Sequence, residues 1–396
     1  PVYREHYATD IATLPGVAEP LPEVNPLKMT LISIFEDRVV PEPFFFDEKL
    51  RYSFALQKEL SPLVFLIAGT GASHNGAKNT EMARAYYHAG FHVVSISSPT
   101  YMNFIVAASS TSVPGHVYGD AEDLYRVMEK IWEQYKEDIE VSDFYVAGYS
   151  LGGLNTAFVT LLDEERQVFN FRKALLINPP VNLYNSISLL DRMSQNIPGG
   201  PDNFQRFFKS LLDEVGRVYK KSDTVELNEA FLFKAFQAVD PENEELAALV
   251  GVSFRLSSAN LISPADVMNQ YGFVVPANVT MAANSYQADY LKTAHRIGFT
   301  DYFHCCFYPY FKQTTPNLSR ENFADMLSLT AIESYLTSSS KIEVMHNEDD
   351  IILEPGEIDF FPRVFGDRAK IYPKGGHCGN MSHRDNVAHM INVFKQ

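Results

Sequence analysis

Apolar and polar positions along the chain alternate between short, wholly apolar runs and longer stretches with helical spacing. Leu63-Val-Phe-Leu-Ile-Ala68 is apolar at every position and stops at Gly69-Thr70-Gly71. Such a run fits a strand buried on both faces of a parallel sheet. The pattern then predicts a helix over 79–89 stopped at Gly90, and a strand over 92–97 closed by Ser98-Pro99. From Asp120, the residues Leu124, Val127, Met128, Ile131 and Tyr135 recur at helical spacing with Glu and Lys between them, which is an amphipathic helix. Phe144-Tyr-Val-Ala147 reads as the next strand, 151–162 as a helix, and 173–178 as a further buried strand ended by Pro179-Pro180. Two β-rich stretches, 28–36 and 51–57, come earlier. Residues 1–27, rich in proline and acidic residues, read as an extended arm.

After Val181 this rhythm breaks. No buried-strand run recurs before Ser339. Helical patterns occupy 204–215, 228–238, 244–250, 287–295 and 321–337, with a dense aromatic patch from Tyr302 to Phe311 that reads as a core more readily than as a substrate channel. Strands return at 341–345 and 369–372, and a helix over 384–394 follows. Strand–helix alternation of this kind predicts the α/β class, a mostly parallel sheet flanked by helices. The sheet domain is assigned to 1–180 and 340–396, interrupted by a mainly helical insertion, 181–339, of ordinary domain size.

Bulk properties narrow the partners. The 396 residues carry a net charge of -16 with no Lys/Arg-rich block, which argues against nucleic acid and anionic membrane surfaces. No apolar run in the sequence approaches the roughly 20 residues of a membrane span. The three cysteines, Cys305, Cys306 and Cys378, form neither a disulfide framework nor a metal-binding spacing, and no ligand set argues for a metal or other cofactor. The chain begins at Pro1 with no initiator Met, which slightly favours a periplasmic or secreted location over a cytoplasmic one. The sequence carries no signal for oligomeric state.

The chemistry centres on Gly148-Tyr149-Ser150-Leu151-Gly152, a G-x-S-x-G pattern between a strand and a helix. The turn is so tight that Gly148 and Gly152 must be small. It lifts the Ser150 hydroxyl to the start of a helix, where orphan amides and the helix dipole favour negative charge. A serine hydroxyl needs a base, a group to orient that base, and donors for the oxyanion. His346-Asn-Glu-Asp349-Asp350 follows one strand, and Gly375-Gly-His377-Cys-Gly379 follows the next. In open parallel sheets, reactive groups gather outside the carboxyl ends of the strands. Ser150, then Asp349 or Asp350, then His377 is the chain order serine, acid, histidine. His377 is preferred as base over His346, His383 and His389. Gly69-Thr70-Gly71 ends a strand where a second oxyanion donor belongs. His74 and Cys378 read as a loop histidine and a small buried residue.

On these motifs the chain resembles the α/β-hydrolases, in their serine esterase and lipase branch, over residues 28–181 and 340–396, about 210 positions. The resemblance implies an acyl-enzyme mechanism on apolar carboxyl esters, lipid-like or small. Ser150 is then the nucleophile and His377 the base, while the amides of Leu151 and of Thr70 or Gly71 bind the oxyanion. The family's frequent acid-x-Ile/Val spacing favours Asp349 over Asp350, with Glu348 and Glu354 behind. The insertion sits where the family commonly carries a cap or lid. One departure is the Ala-Gly-Thr-Gly strand end, which lacks the His that often precedes the glycine. Acyl transfer, thioester hydrolysis and a non-catalytic binding role remain as alternatives.

Overall fold

The computed structural model of the protein describes residues 26–203, 206, 207, 209, 210, 213 and 243–395. The expected arm lies outside the described residues except for 26 and 27. The helix expected over 228–238 is wholly outside them, and that over 204–215 for the most part.

Among the described residues eight strands form one sheet: β1 (Lys28–Ile32), β2 (Leu50–Ala55), β3 (Ser61–Ile67), β4 (His92–Ile96), β5 (Val141–Tyr149), β6 (Lys173–Ile177), β7 (Ile342–Asn347) and β8 (Ala369–Tyr372), in the order β1-β2-β4-β3-β5-β6-β7-β8. β1 and β2 pair antiparallel, and β2 runs antiparallel to β4. The rest is parallel. β3 lies between β4 and β5, with Ile67 level with both Ile96 and Gly148. The apolar run in β3 has a simple cause. Leu63, Phe65 and Ile67 pack into the core on one face, and Val64, Leu66 and Ala68 into the core on the other. Side chains alternate along a strand, so a strand covered on both faces must be apolar throughout.

The covering helices are α1 (Ala77–His88), α2 (Met102–Ala107), α3 (Val117–Tyr135) and α4 (Leu151–Arg166). The stripe expected in α3 is buried through Leu124, Val127, Met128 and Ile131. Between β6 and β7 come α5 (Leu183–Met193), α6 (Asn243–Asn269), α7 (Ala288–Ala294), α8 (Phe299–Tyr302), a π-turn (Phe303–Phe307), α9 (Tyr308–Thr314), α10 (Arg320–Met326) and α11 (Glu333–Ser338). The chain closes with α12 (Phe360–Phe365) and α13 (Arg384–Lys395). On the second face, α13 meets α1 through Tyr86 stacked on Phe394 at 5.3 Å.

Two expectations in this connection are corrected. The helix read over 244–250 runs on to Asn269, with Pro264 inside it. Ser253, Arg255, Ser257 and Ser258 interrupt its apolar spacing, which hid its length. The single helix expected over 321–337 is split, because Ser328 leaves the helical path to bridge Asn182. α6 also changes the membrane reading. By length and composition its stretch Glu245–Asn269 could cross a membrane, but more than half of its most apolar part is buried within the protein, and the helix packs on α2, α5 and α7.

The connection is tied to the sheet ends. The Leu183 amide donates to the Leu327 carbonyl at 3.0 Å and the Leu329 amide to that of Val181 at 2.8 Å, so the stretch 181–183 lies beside 327–329. Ser186 Oγ donates to the Ile352 carbonyl at 2.7 Å and Asn185 Nδ2 to Glu357 at 2.7 Å, which holds α5 on the loop after β7. Asp191 of α5 accepts from the Phe299 and Thr300 amides at 3.2 and 2.7 Å. A carboxylate there satisfies the first orphan amides of α8.

Candidate active site

Ser150 joins β5 to α4 with φ 55 and ψ -127, a region that side-chain-bearing residues rarely enter. The neighbouring glycines explain how the turn closes. A Cβ on Gly148 would run into the Gly152 carbonyl, and one on Gly152 into the carbonyls of Ile67 and Ala68. The elbow is therefore pressed against the end of β3 at Gly152 and against the first turn of α4 at Gly148, so a larger residue would push β3 away at the first position and α4 away at the second. Tyr149, buried between them, packs into the second-face core.

The parallel register brings the other groups to Ser150. β6 lies beside β5, β7 beside β6 and β8 beside β7. The segments that leave these strands at their carboxyl ends carry Asn178, Asp350 and His377. His377 Nε2 is 2.9 Å from Ser150 Oγ. Its Nδ1 lies 3.1 and 3.0 Å from the two carboxylate oxygens of Asp350. Nδ1 thus carries the proton it donates to Asp350, leaving Nε2 to accept from the serine hydroxyl.

Asp349, expected as the acid, is instead turned the other way. Its Oδ1 accepts the Gly376 amide at 2.8 Å and so braces the loop that carries His377. Adjacent residues on an extended turn point in opposite directions, and only Asp350 faces inward. Its carboxylate also accepts from Asn178 Nδ2 at 2.9 Å and from the Ile352 amide at 3.1 Å. Burial opposes charge on Asp350, but His377 beside it and the hydrogen bonds it accepts outweigh that and hold the carboxyl below its ordinary range.

Two neighbours went unread in the sequence. The sequence pattern marks Asn178 only as the end of a strand. Its place just after β6, between β5 and β7, was the available signal. His346 reads in the sequence only as a rival base to His377. It is fully buried, with Nδ1 3.8 Å from Asp350 Oδ2. Nδ1 accepts the Asn347 amide at 2.9 Å and Nε2 donates to the Pro179 carbonyl at 3.1 Å. Burial pushes its pKa down, which keeps the ring neutral and leaves Asp350 to His377. His74 is likewise away from Ser150, paired with Ser53 Oγ at 2.7 Å. Cys378 is buried, and the three cysteines are free thiols.

Above the serine lies a cavity bounded by Thr70, Leu151, Phe254, Ile352 and His377, with Ser150 in its wall. Leu151 is the first residue of α4, so its amide has no intrahelical acceptor. Of the two residues expected to give the second donor, Gly71 has its amide committed to Thr100 Oγ1 at 2.8 Å. It also sits with φ +66 against Ser257 of α6. Thr70 is the one that lines the cavity. Among the described residues no group of three or more His, Cys, Asp or Glu could hold a metal ion.

No protein-family model and no curated protein matches the chain. Solved structures do. Est1E from Butyrivibrio proteoclasticus is similar at 11% identity over 88% of this chain and 96% of its own, with a TM-score of 0.38. A membrane phospholipase A described as a bacterial virulence factor is similar at 14% identity over 94% of this chain and 86% of its own, with a TM-score of 0.46. The thioesterase domain from the curacin biosynthetic pathway is similar at 11% identity over 94% of this chain and 100% of its own, with a TM-score of 0.41. The sheet order, with its antiparallel first strands, and the sharp serine turn between β5 and α4 are features of this chain itself, and by them it has the α/β-hydrolase fold.

Proposed function

We propose that the protein is a serine hydrolase that cleaves carboxyl esters of apolar acyl groups through an acyl-enzyme intermediate. The observation that carries this reading is the unbroken line Ser150 Oγ–His377 Nε2 at 2.9 Å and His377 Nδ1–Asp350 at 3.0 Å. In the first half-reaction Ser150 Oγ bonds to the ester carbonyl carbon while its proton passes to His377 Nε2. The carbon–oxygen bond to the alcohol then breaks, and the alcohol leaves with that proton. Water repeats the sequence on the acyl-enzyme and releases the acid. Asp350 holds the imidazole tautomer and stabilises the imidazolium. The amides of Leu151 and Thr70 receive the oxyanion.

In this reading residues up to 180 and from 340 form the catalytic core, and 181–339 form a cap over Ser150. The position of Phe254 and Leu190 in the wall of the serine cavity supports it. The test pairs a fluorophosphonate probe with p-nitrophenyl esters. Wild type should be labelled at Ser150 and release nitrophenolate, and Ser150→Ala should do neither. Unchanged turnover by Ser150→Ala would sink the proposal.

A further inference from the structure

A second cavity, of about 50 Å³, adjoins the one that holds Ser150. The two share the wall residues Thr70, Leu151, Leu183, Ile187 and Phe299. His377 and Ser150 line only the first. The second runs the other way, towards Pro114, Gly115, Leu261, Phe303, Phe307 and Leu327. No charged side chain lines it, and the polar groups of Tyr302 and Thr100 are occupied. Tyr302 Oη donates to the Pro114 carbonyl at 3.0 Å. Thr100 Oγ1 accepts the Gly71 amide at 2.8 Å and lies 2.9 Å from Ser98 Oγ.

The geometry at Ser150 assigns the two cavities. The alcohol oxygen must take a proton from His377 Nε2 as it leaves, so the alcohol lies on the His377 side. The carbonyl oxygen points to the amides shared by both cavities. The remaining substituent, the acyl chain, extends away from His377. We infer that the cavity beyond Thr70 and Leu151 is the acyl site, and that Phe303 and Phe307 of the π-turn close its far end and limit acyl length. The inference rests on the ester-hydrolase reading above.

Phe303 and Phe307, four residues apart at the two ends of the π-turn, present their rings on one face of it. A single wide turn adds one residue to the helix, which shifts the face it presents, and such turns often mark functional positions. Phe303 and Phe307 have ring centroids 6.0 Å apart and both pack on Phe323, at 5.8 and 4.9 Å. The edge of the Phe307 ring lies 3.4 Å from where a Cβ on Gly115 would stand, so Gly115, at φ +116, leaves no more than about a methyl's space between ring and loop. An acyl chain that reaches this wall can go no further without displacing an aromatic side chain packed from behind. The substrates are therefore esters of short, uncharged acids.

The test is a ladder of straight-chain p-nitrophenyl esters from acetate to dodecanoate, with a second ladder that keeps the acyl group short and lengthens the alcohol. In wild type kcat/KM should peak at a short acyl chain and drop by about tenfold or more for each methylene beyond the limit. Phe307→Ala should move the peak to longer chains, and Leu261→Phe should move it to shorter ones. Phe307→Leu guards against loss of fold and should move it part of the way. Phe254→Ala, on the His377 side, should change the alcohol ladder and leave the acyl peak in place. An acyl peak unmoved in Phe307→Ala and Phe307→Leu, or moved by Phe254→Ala instead, overturns the assignment. So does release of no nitrophenolate from any ester while the fluorophosphonate still labels Ser150. Failure of that probe to label wild type overturns the hydrolase reading itself, and the assignment with it.

Discussion

Asp349 and Asp350 are neighbours in the chain, yet one holds the Gly376 amide at 2.8 Å and the other faces His377 Nδ1 at 3.0 Å. The two carboxylates therefore differ in what their loss should cost. Asp350→Asn puts an amide beside Nδ1, which favours the wrong imidazole tautomer. It should lower kcat on a p-nitrophenyl ester by about 10⁴-fold, the loss such a change brings in serine proteases. Asp349→Asn keeps an acceptor for Gly376 and should lower kcat by less than about tenfold. Equal losses in the two variants would remove Asp350 from its assigned role.

Ser150 holds φ 55 and ψ -127, a conformation that costs of order 1–3 kcal/mol for a residue with a side chain. Glycine enters it freely. Ser150→Gly should therefore melt at a higher temperature than Ser150→Ala, although both lack the hydroxyl. Calorimetry on the pair checks this, and an Ala variant as stable as the Gly variant would show that the turn stores no strain.

Gly148 and Gly152 have no room for a Cβ against neighbouring carbonyl oxygens. Gly148→Ala and Gly152→Ala should each destabilise the fold by about 3 kcal/mol or more, the upper end for overpacking, since backbone cannot move aside as a side chain can. Gly90→Ala is a useful contrast. Gly90 meets nothing within 4 Å, so only its φ of +98 opposes the change. Urea midpoints should rank both elbow variants below Gly90→Ala.

His74 is buried against Ser53, and burial, aided by Arg51, pushes its pKa down to about 4 from an ordinary 6.5. Between those values the unfolded chain binds a proton that the folded chain does not. Stability is therefore full above about pH 6.5 and falls as pH drops towards 4. His346 acts in the same sense. Urea midpoints should fall between about pH 7 and pH 5. His74→Gln should make that fall shallower, and an identical slope in the variant would exclude His74 as a contributor.

Much of the sheet could be read in the chain because strands buried on both faces are apolar at every position, as in Leu63 to Ile67. The elbow was legible for a related reason, since glycine on either side of a serine has a steric cause that the contacts of Gly148 and Gly152 bear out. The insertion was harder. Its helices bury mixed faces against each other, and Ser257 of α6 packs on Gly71 rather than on a uniform core. The π-turn at Phe303–Phe307 left no sign, because a wide turn and an ordinary one share the same aromatic residues.

What the sequence determined by itself was local: strand–helix alternation, the serine turn, and the order in which serine, acid and histidine follow successive strands. These rest on periodicity and on steric demands between near neighbours. Only the tertiary structure decided that Asp350 rather than Asp349 meets His377, that Gly71 is tied to Thr100 while Thr70 faces the cavity, and that His346 lies beside the acid. Each depends on the direction of a side chain or amide relative to groups far away in the chain. That direction is set by how β5, β6, β7 and β8 stack in register, which no local pattern records.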